Sequence, residues 1–326
     1  MPTLAEPQTN RRSPARIPLL DAARGAAMIA MTIFHFSWDL EFFGYAPPGM
    51  TSEFGWRLFA RSIASSFLLI VGISFMLSHI NGIRWPSFWR RFAVVGGAAA
   101  IISLATYVTT PDRFVFFGIL HQIAAASLMA LLFVRLPALA IFVAGVAILA
   151  LPYYFRSEMF LQPTFWWSGL APFDPPSNDY VPVFPWTGLV LVGMAIAKFS
   201  EQSGLAGRLA TVPADTGQTA RLLSFLGQHS LIYYLLHQPM MMAALFALTY
   251  VLPPAPIDKA ALFIPQCVLS CERERDNAFC ARFCSCIRDE LQNQSIFQEV
   301  LDGKRDVTSD PLILDVAAMC TGASEE

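Results

Sequence analysis

Four ionisable side chains lie in the first long apolar segment of the chain: Asp21, Arg24, His35 and Asp39. Asp21 and Arg24 are three residues apart, and His35 and Asp39 are four apart, so on a helix each pair shares a face. The planar guanidinium of Arg24, beside Asp21, is suited to bind phosphate oxygens. The imidazole of His35 can take a proton from an attacking amine or hydroxyl near neutral pH, and Asp39 can orient the ring.

The spacing between the two pairs predicts their depth. Arg24 and His35 are eleven residues apart, which is about 16 Å of helix. Arg24 is expected near the cytoplasmic headgroups and His35 deeper or toward the outer side. This arrangement favours an enzyme that takes an acyl group from a phosphate-bearing cytoplasmic donor and delivers it to an outside acceptor. A simpler interpretation is that Arg24 extends to the membrane interface and His35 only hydrogen-bonds a neighbouring helix.

The elements that hold these residues are predicted to be membrane-spanning helices. The chain has 326 residues, of which 55% are hydrophobic and only 14% charged, whereas an average soluble domain is about a quarter charged. A spanning helix needs about 20 mostly apolar residues, and seven stretches qualify: 17–43, 56–78, 92–109, 114–136, 138–155, 181–199 and 230–252. We therefore predict an all-α, polytopic membrane bundle of about seven transmembrane helices with a small Cys-rich helical tail. The predicted domains are a cytoplasmic segment at 1–16, the bundle at 17–252 and the tail at 253–326.

The placement of basic residues predicts the orientation, because cytoplasmic loops are enriched in Lys and Arg. With seven helices, most of the basic loop residues fall on one side: Arg11, Arg12, Arg16, Arg84, Arg90, Arg91, Arg135, Lys198, Arg208 and Arg221. The N-terminus is then cytoplasmic and the tail periplasmic, in a bacterial inner (plasma) membrane. The formal net charge of -2 gives no indication of a nucleic-acid partner.

All six cysteines lie in the tail. Cys267 and Cys271 form an i, i+4 pair, as do Cys280 and Cys284, so each pair shares a helix face. An outside tail would be in an oxidising space, and a helical hairpin could be joined by Cys267 with Cys284 and Cys271 with Cys280, although sequence alone leaves the connectivity open. A metal site is the less favoured alternative, because no His is nearby and the spacing is not a usual zinc pattern; no metal is predicted.

Several segments together resemble a known family. The segments are LDAARG at 20–25, FHFSWDL at 34–40, FGILHQI at 117–123, DYVPVFPW at 179–186 and LGQHSLIYYLLHQP at 226–239. They are similar to the bacterial branch of the heparan-α-glucosaminide N-acetyltransferase catalytic-domain family. More distantly, Arg24 and His35 resemble the signature residues of bacterial membrane O-acyltransferases.

The resemblance implies transfer of an acetyl group from acetyl-CoA, as a cosubstrate, through the membrane to a sugar amine or hydroxyl, with no tightly bound cofactor. By motif match it carries over Arg24 and His35 only. Together with the residue chemistry above, donor binding is predicted at Arg24 and Asp21, and catalysis at His35 and Asp39. One departure is that residues 45–55 contain no His where the lysosomal enzyme's proposed acetyl-accepting His aligns, so direct transfer with His35 as the base is predicted. Seven further residues are predicted to serve the acceptor or to support the site: His121, Gln122, Asp179, Tyr180, Trp186, His237 and Gln238.

Structural explanations remain open for several of these residues. His121 and His237 are also explained as hydrogen-bonded core residues, and Asp179 as the N-terminal cap of the sixth helix. At the level of the whole chain, the alternatives are a secondary transporter or channel, or a membrane assembly protein with a disulfide-stapled tail. The expected partners are the lipid bilayer, acyl-CoA and a carbohydrate, and the sequence does not indicate an oligomeric state.

Overall fold

A computed structural model describes residues 17–210, 217–255, 258–272 and 274–325. The predicted cytoplasmic segment, with Arg11, Arg12 and Arg16, lies outside the described residues. The predicted all-α class is confirmed: the described residues contain no strand, only one isolated bridge. The helices are α1 (Pro18–Phe42), α2 (Phe54–His79), α3 (Trp85–Thr109), α4 (Ile119–Ala130), α5 (Ala138–Tyr154), α6 (Val183–Gln202), α7 (Leu205–Ala210), α8 (Gln218–Gln228), α9 (Ser230–Val251), α10 (Lys259–Cys271), α11 (Asn277–Asn293), α12 (Phe297–Leu301) and α13 (Pro311–Ser324).

Five of the described helices are long and apolar enough to cross a membrane: α1, α2, α3, α6 and α9. They correspond to five of the seven predicted spans. The segments predicted at 114–136 and 138–155 contain the shorter helices α4, of 12 residues, and α5, of 17 residues. The chain is a membrane protein, and seven crossings stay a prediction.

The chain divides into two compact units, 1–34 with 58–240 and 35–57 with 241–326. The first unit has a core in which α2 and α6 approach closely at glycines. A Cβ at Gly72 would overlap the Val190 carbonyl oxygen, and one at Gly193 would overlap the Leu69 carbonyl oxygen. Small residues permit such close backbone approach between membrane helices, where dispersion contacts replace the hydrophobic effect as the main attraction.

Non-helical backbone precedes both α4 and α6, and the two segments pair with each other. Phe117 and Tyr180 form a parallel bridge, and the Val181 amide donates to the Phe117 carbonyl oxygen at 3.0 Å. The Asn178 amide likewise donates to the Arg113 carbonyl oxygen at 2.8 Å. These bonds satisfy backbone groups that lipid would leave unpaired, and they explain why α4 begins at Ile119 rather than near residue 114.

The second unit contains the Cys-rich tail. The predicted pairs Cys267 with Cys284 and Cys271 with Cys280 are both present, and they join α10 to α11. A third disulfide, Cys286 with Cys320, joins α11 to α13 and was not predicted. Apolar side chains of α11 and α13 complete a small core, which contains Leu291, Ile313 and Val316. Asp258, Asp276 and Asp310 cap the N-termini of α10, α11 and α13. The predicted boundary between bundle and tail near residue 252 stays a prediction.

Candidate functional site

Arg24 is held at a close crossing of α1 and α8. A Cβ at Gly25 would overlap the Leu223 carbonyl oxygen, and one at Gly227 would overlap the Asp21 carbonyl oxygen. The crossing therefore requires glycine on both helices, and it brings the end of α8 to the first turns of α1.

The guanidinium of Arg24 has contacts on three sides. Nη1 contacts Asp21 Oδ1 at 3.2 Å, which is the predicted i, i+3 pair, and it donates to the Gly227 carbonyl oxygen at 3.4 Å. Nη2 donates to Ser74 Oγ at 3.0 Å. Gln228 Nε2 donates to the second oxygen of Asp21 at 3.4 Å. The side chain is thus fixed in one orientation rather than extended along the helix surface.

Arg24 lines a cavity of about 470 Å³ within the first unit. Two more arginines, Arg90 and Arg91, line the same cavity, and we call these three residues the basic end. The other lining residues are mostly apolar or neutral: Met28, Phe67, Val71, Ser87, Val94, Val95, Ile119, Leu120, Ile123, Gly227, Gln228, Ser230, Leu231 and Tyr234.

The cavity carries an excess of positive charge. Among the residues that the structure describes, its lining includes three guanidiniums and no carboxylate, and Asp21 is paired with Arg24. Within the described ranges, no hydrogen bond or ion pair engages Arg90 or Arg91, and both side chains are exposed. Arginines without an acidic partner at a concave surface favour an anionic ligand, and the planar fork of guanidinium suits phosphate.

Ile119, Leu120 and Tyr234 also line the cavity, and we call these three residues the floor. Leu120 is 6% exposed and packs in a cluster with Ala98 and Ala99 of α3. Those two alanines lie about seven residues along α3 from Arg91, which corresponds to about 10 Å of helix. The floor is therefore separated from the basic end by about two helical turns of mostly apolar lining.

Asp179 supports this floor from the loop before α6. Its Oδ2 accepts hydrogen bonds from the Ile119 amide at 2.9 Å and from the Tyr234 hydroxyl at 3.4 Å. Burial raises the pKa of the Asp179 carboxyl, and these two hydrogen bonds oppose the shift. The expectation that Asp179 caps the sixth helix is wrong: the residue before α6 is Pro182, and Asp179 caps α4 instead.

His121 and Gln122 are hydrogen-bonded inside the bundle. His121 Nδ1 accepts from the Gly118 amide at 3.2 Å, so Nε2 carries the proton and donates to Ser103 Oγ at 3.0 Å. Gln122 is fully buried, and its Nε2 donates to Thr187 Oγ1 at 2.8 Å. The geometry gives both residues structural partners, and both ring nitrogens of His121 are engaged.

The other predicted acceptor residues are spread over the loop before α6 and over α9. The Tyr180 hydroxyl donates to the Trp166 carbonyl oxygen at 2.7 Å, and burial raises the pKa of that hydroxyl. Trp186 packs against the core of the first unit. His237 is 8% exposed, with Nδ1 2.8 Å from the Tyr234 carbonyl oxygen, and Gln238 follows it on α9.

The predicted catalytic pair lies on the part of α1 that belongs to the second unit. Asp39 is fully buried and His35 is half-buried. Their i, i+4 spacing on a regular helix places them on one face, as predicted. Their catalytic role stays a prediction.

Sequence reasoning assigned Arg90 and Arg91 only to membrane orientation and did not single out Tyr234. The useful signal was the pair of adjacent arginines near the start of an apolar helix, directly after Trp89. Neutral lining residues such as Tyr234 carry no comparable local signal, because only the packing of α3, α4 and α9 brings them together.

Comparison with known proteins identifies the family. Residues 16–239 match the family described as heparan-alpha-glucosaminide N-acetyltransferase, catalytic. No curated protein and no solved structure matches the chain. The matched region includes the whole of the cavity and its supporting residues, as well as His35 and Asp39. The chain belongs to the heparan-alpha-glucosaminide N-acetyltransferase catalytic family and is accordingly a transferase of the membrane.

Proposed function

We propose that this protein transfers an acetyl group from cytoplasmic acetyl-CoA to an amino sugar or glycan hydroxyl on the other side of the membrane. The observation that carries the proposal is the cavity, which has three arginines at one end and a mostly apolar lining beyond them. Family membership supports the reaction class.

The two ends of the donor match the two ends of the cavity. The phosphates of acetyl-CoA would bind Arg24, Arg90 and Arg91, where the excess positive charge compensates their negative charge. The pantetheine arm would extend from these arginines past Val94 and Val95 of α3 toward the floor, which lies about 10 Å of helix beyond Arg91. The volume of about 470 Å³ is in the range of ordinary small-molecule sites.

His35 is proposed as the general base and Asp39 as the residue that orients its ring. In direct transfer, the acceptor amine or hydroxyl attacks the thioester carbonyl carbon and gives its proton to His35. A C–N or C–O bond forms, the C–S bond breaks, and the leaving CoA thiolate takes up the proton that His35 received, which returns His35 to its neutral form. The helical i, i+4 spacing and the complete burial of Asp39 support this assignment.

The proposed orientation places the basic end at the cytoplasm and the tail outside, in a bacterial inner membrane. The three disulfides of the tail support this placement, because disulfides persist in oxidising compartments and are rare in the cytosol. Arg90 and Arg91 follow the second span, on the side where basic loop residues are enriched.

The direct test uses the purified protein with acetyl-labelled acetyl-CoA and glucosamine, and measures label transfer. We expect transfer by the wild type and loss of transfer in His35→Ala. The matched control is His229→Ala, because His229 is exposed and its Nδ1 lies 2.9 Å from the Phe225 carbonyl oxygen of its own helical turn. Undiminished transfer in His35→Ala would remove His35 from the mechanism, and solute flux in proteoliposomes without thioester consumption would favour a transporter.

A further inference from the structure

The floor of the cavity is fixed by one carboxylate. Asp179 Oδ2 accepts from the Ile119 amide, at the first residue of α4, and from the Tyr234 hydroxyl of α9. Two of the three floor residues are therefore tied to one atom. The third, Leu120, is almost completely buried against α3.

Gly118 allows the carboxylate to reach this position. A Cβ at residue 118 would overlap Asp179 Oδ2 and would lie 2.7 Å from Val115 Cγ1. The glycine before α4 is thus required by the floor itself, since any side chain would displace the acid that holds Ile119 and Tyr234.

We propose that this floor is the element that limits the acyl group of the donor to a short chain, with Ile119 as the specificity-determining side chain and Asp179 as its positioning residue. The inference rests on the proposed function. Phosphates held at the basic end direct the acyl end of the donor toward the floor, because Leu120 packs on Ala98 and Ala99, about two turns of α3 beyond Arg91. A rigid apolar wall discriminates between ligands that differ by one methylene by about 10- to 200-fold.

Equilibrium binding tests the proposal without requiring the natural acceptor. Radiolabelled acetyl-CoA bound to the full-length protein is displaced by acetyl-, propanoyl-, butanoyl- and hexanoyl-CoA, and the Kd ratios are compared. In the wild type we expect butanoyl-CoA to bind at least about tenfold more weakly than acetyl-CoA, because its two extra methylenes meet the floor. Ile119→Ala should reduce that ratio about tenfold or more, and the milder Ile119→Val should improve the binding of propanoyl-CoA.

Two further variants distinguish the floor from general effects. Ile101→Ala removes the same atoms from an α3 side chain that is 64% exposed and outside the cavity lining, and it should leave every ratio at the wild-type value. Asp179→Asn keeps the shape of the side chain but weakens the hydrogen bonds that it accepts from the Ile119 amide and the Tyr234 hydroxyl. In this variant Kd should rise less steeply with the length of the acyl chain.

The outcomes separate the two proposals. If acetyl-CoA binds saturably but neither Ile119→Ala nor Ile119→Val changes the chain-length ratios, the floor is not the determinant of specificity. Equal binding of acetyl- and hexanoyl-CoA to the wild type would overturn the inference as well. If the wild type shows no saturable binding of acetyl-CoA at all, the proposed function itself is contradicted.

Discussion

Replacing Arg91 by Gln is expected to weaken the binding of the phosphates of the donor and to leave its thioester end unaffected. Arg91 lines the cavity, and no hydrogen bond or ion pair within the described residues engages it. A hydrogen bond between charged groups is worth about 1.5–3 kcal/mol, which corresponds to about 10- to 150-fold in affinity. Because Arg24 and Arg90 also line the cavity and remain in the variant, the lower end of that range applies. We therefore expect KM for acetyl-CoA to rise about tenfold with little change in kcat.

Truncated donors locate the effect. Acetyl-dephospho-CoA lacks the 3′-phosphate, and acetyl-pantetheine lacks the whole nucleotide. In steady-state assays the penalty of Arg91→Gln should be present with acetyl-CoA and absent with acetyl-pantetheine, and acetyl-dephospho-CoA shows which phosphate is bound. Arg135→Gln is the matched control, because Arg135 is an exposed loop arginine outside the cavity lining. The same loss of kcat/KM with all three donors would refute the reasoning, since Arg91 would then act through the fold rather than through phosphate.

Three further predictions concern the fold that supports the site. Gly227→Ala should destabilise the first unit by about 1–3 kcal/mol in thermal unfolding, because its Cβ overlaps the α1 backbone; Gly96→Ala, at an open α3 position, should be neutral or stabilising. Replacing both cysteines of the α11–α13 disulfide by Ala should lower the free energy of unfolding of this part of the tail by about 2–5 kcal/mol. Hydrogen exchange of α13 should be faster in that variant. The Arg305 guanidinium holds the pKa of Asp310, the cap of α13, below its usual range. This cap therefore stabilises α13 above the unfolded carboxyl pKa of about 3.9. As the pH falls through the lower folded pKa, the protection of α13 amides, measured as the exchange rate relative to the intrinsic rate at each pH, should decrease.

The parts of the structure that sequence predicted are those set by local spacing. Asp21 and Arg24 are three residues apart on one helix, and their contact follows from helical geometry. The two i, i+4 cysteine pairs likewise indicated a helical hairpin in which Cys267 could pair with Cys284 and Cys271 with Cys280; the sequence left the connectivity open, and the structure contains these two pairs. The disulfide between Cys286 and Cys320 could not be predicted from local spacing. Helix α13 is distant from α11 in sequence, and only its packing on α11 brings the two cysteines together.

The errors have one physical cause, which is pairing between segments far apart in sequence. Asp179 lies directly before an apolar helix, so local rules place it as the cap of that helix. The bridge between Phe117 and Tyr180 instead brings it to the Ile119 amide. The same bridge keeps the chain before Ile119 out of the helix, so the predicted span at 114–136 contains an α4 of only 12 residues.

In this bundle, polar side chains with a structural role differ from those with a functional role in whether the protein itself supplies their hydrogen-bond partners. An unsatisfied polar group is costly in a membrane, so a side chain whose hydrogen bonds are all met within the protein needs no ligand to explain it. His121, held by the Gly118 amide and Ser103 Oγ, is such a group. Arg90 and Arg91 differ, because no acidic or hydrogen-bonding partner within the described residues engages them and both line the cavity beside Arg24. The cations without a protein partner, rather than the histidine inside the bundle, therefore mark where an anionic donor binds.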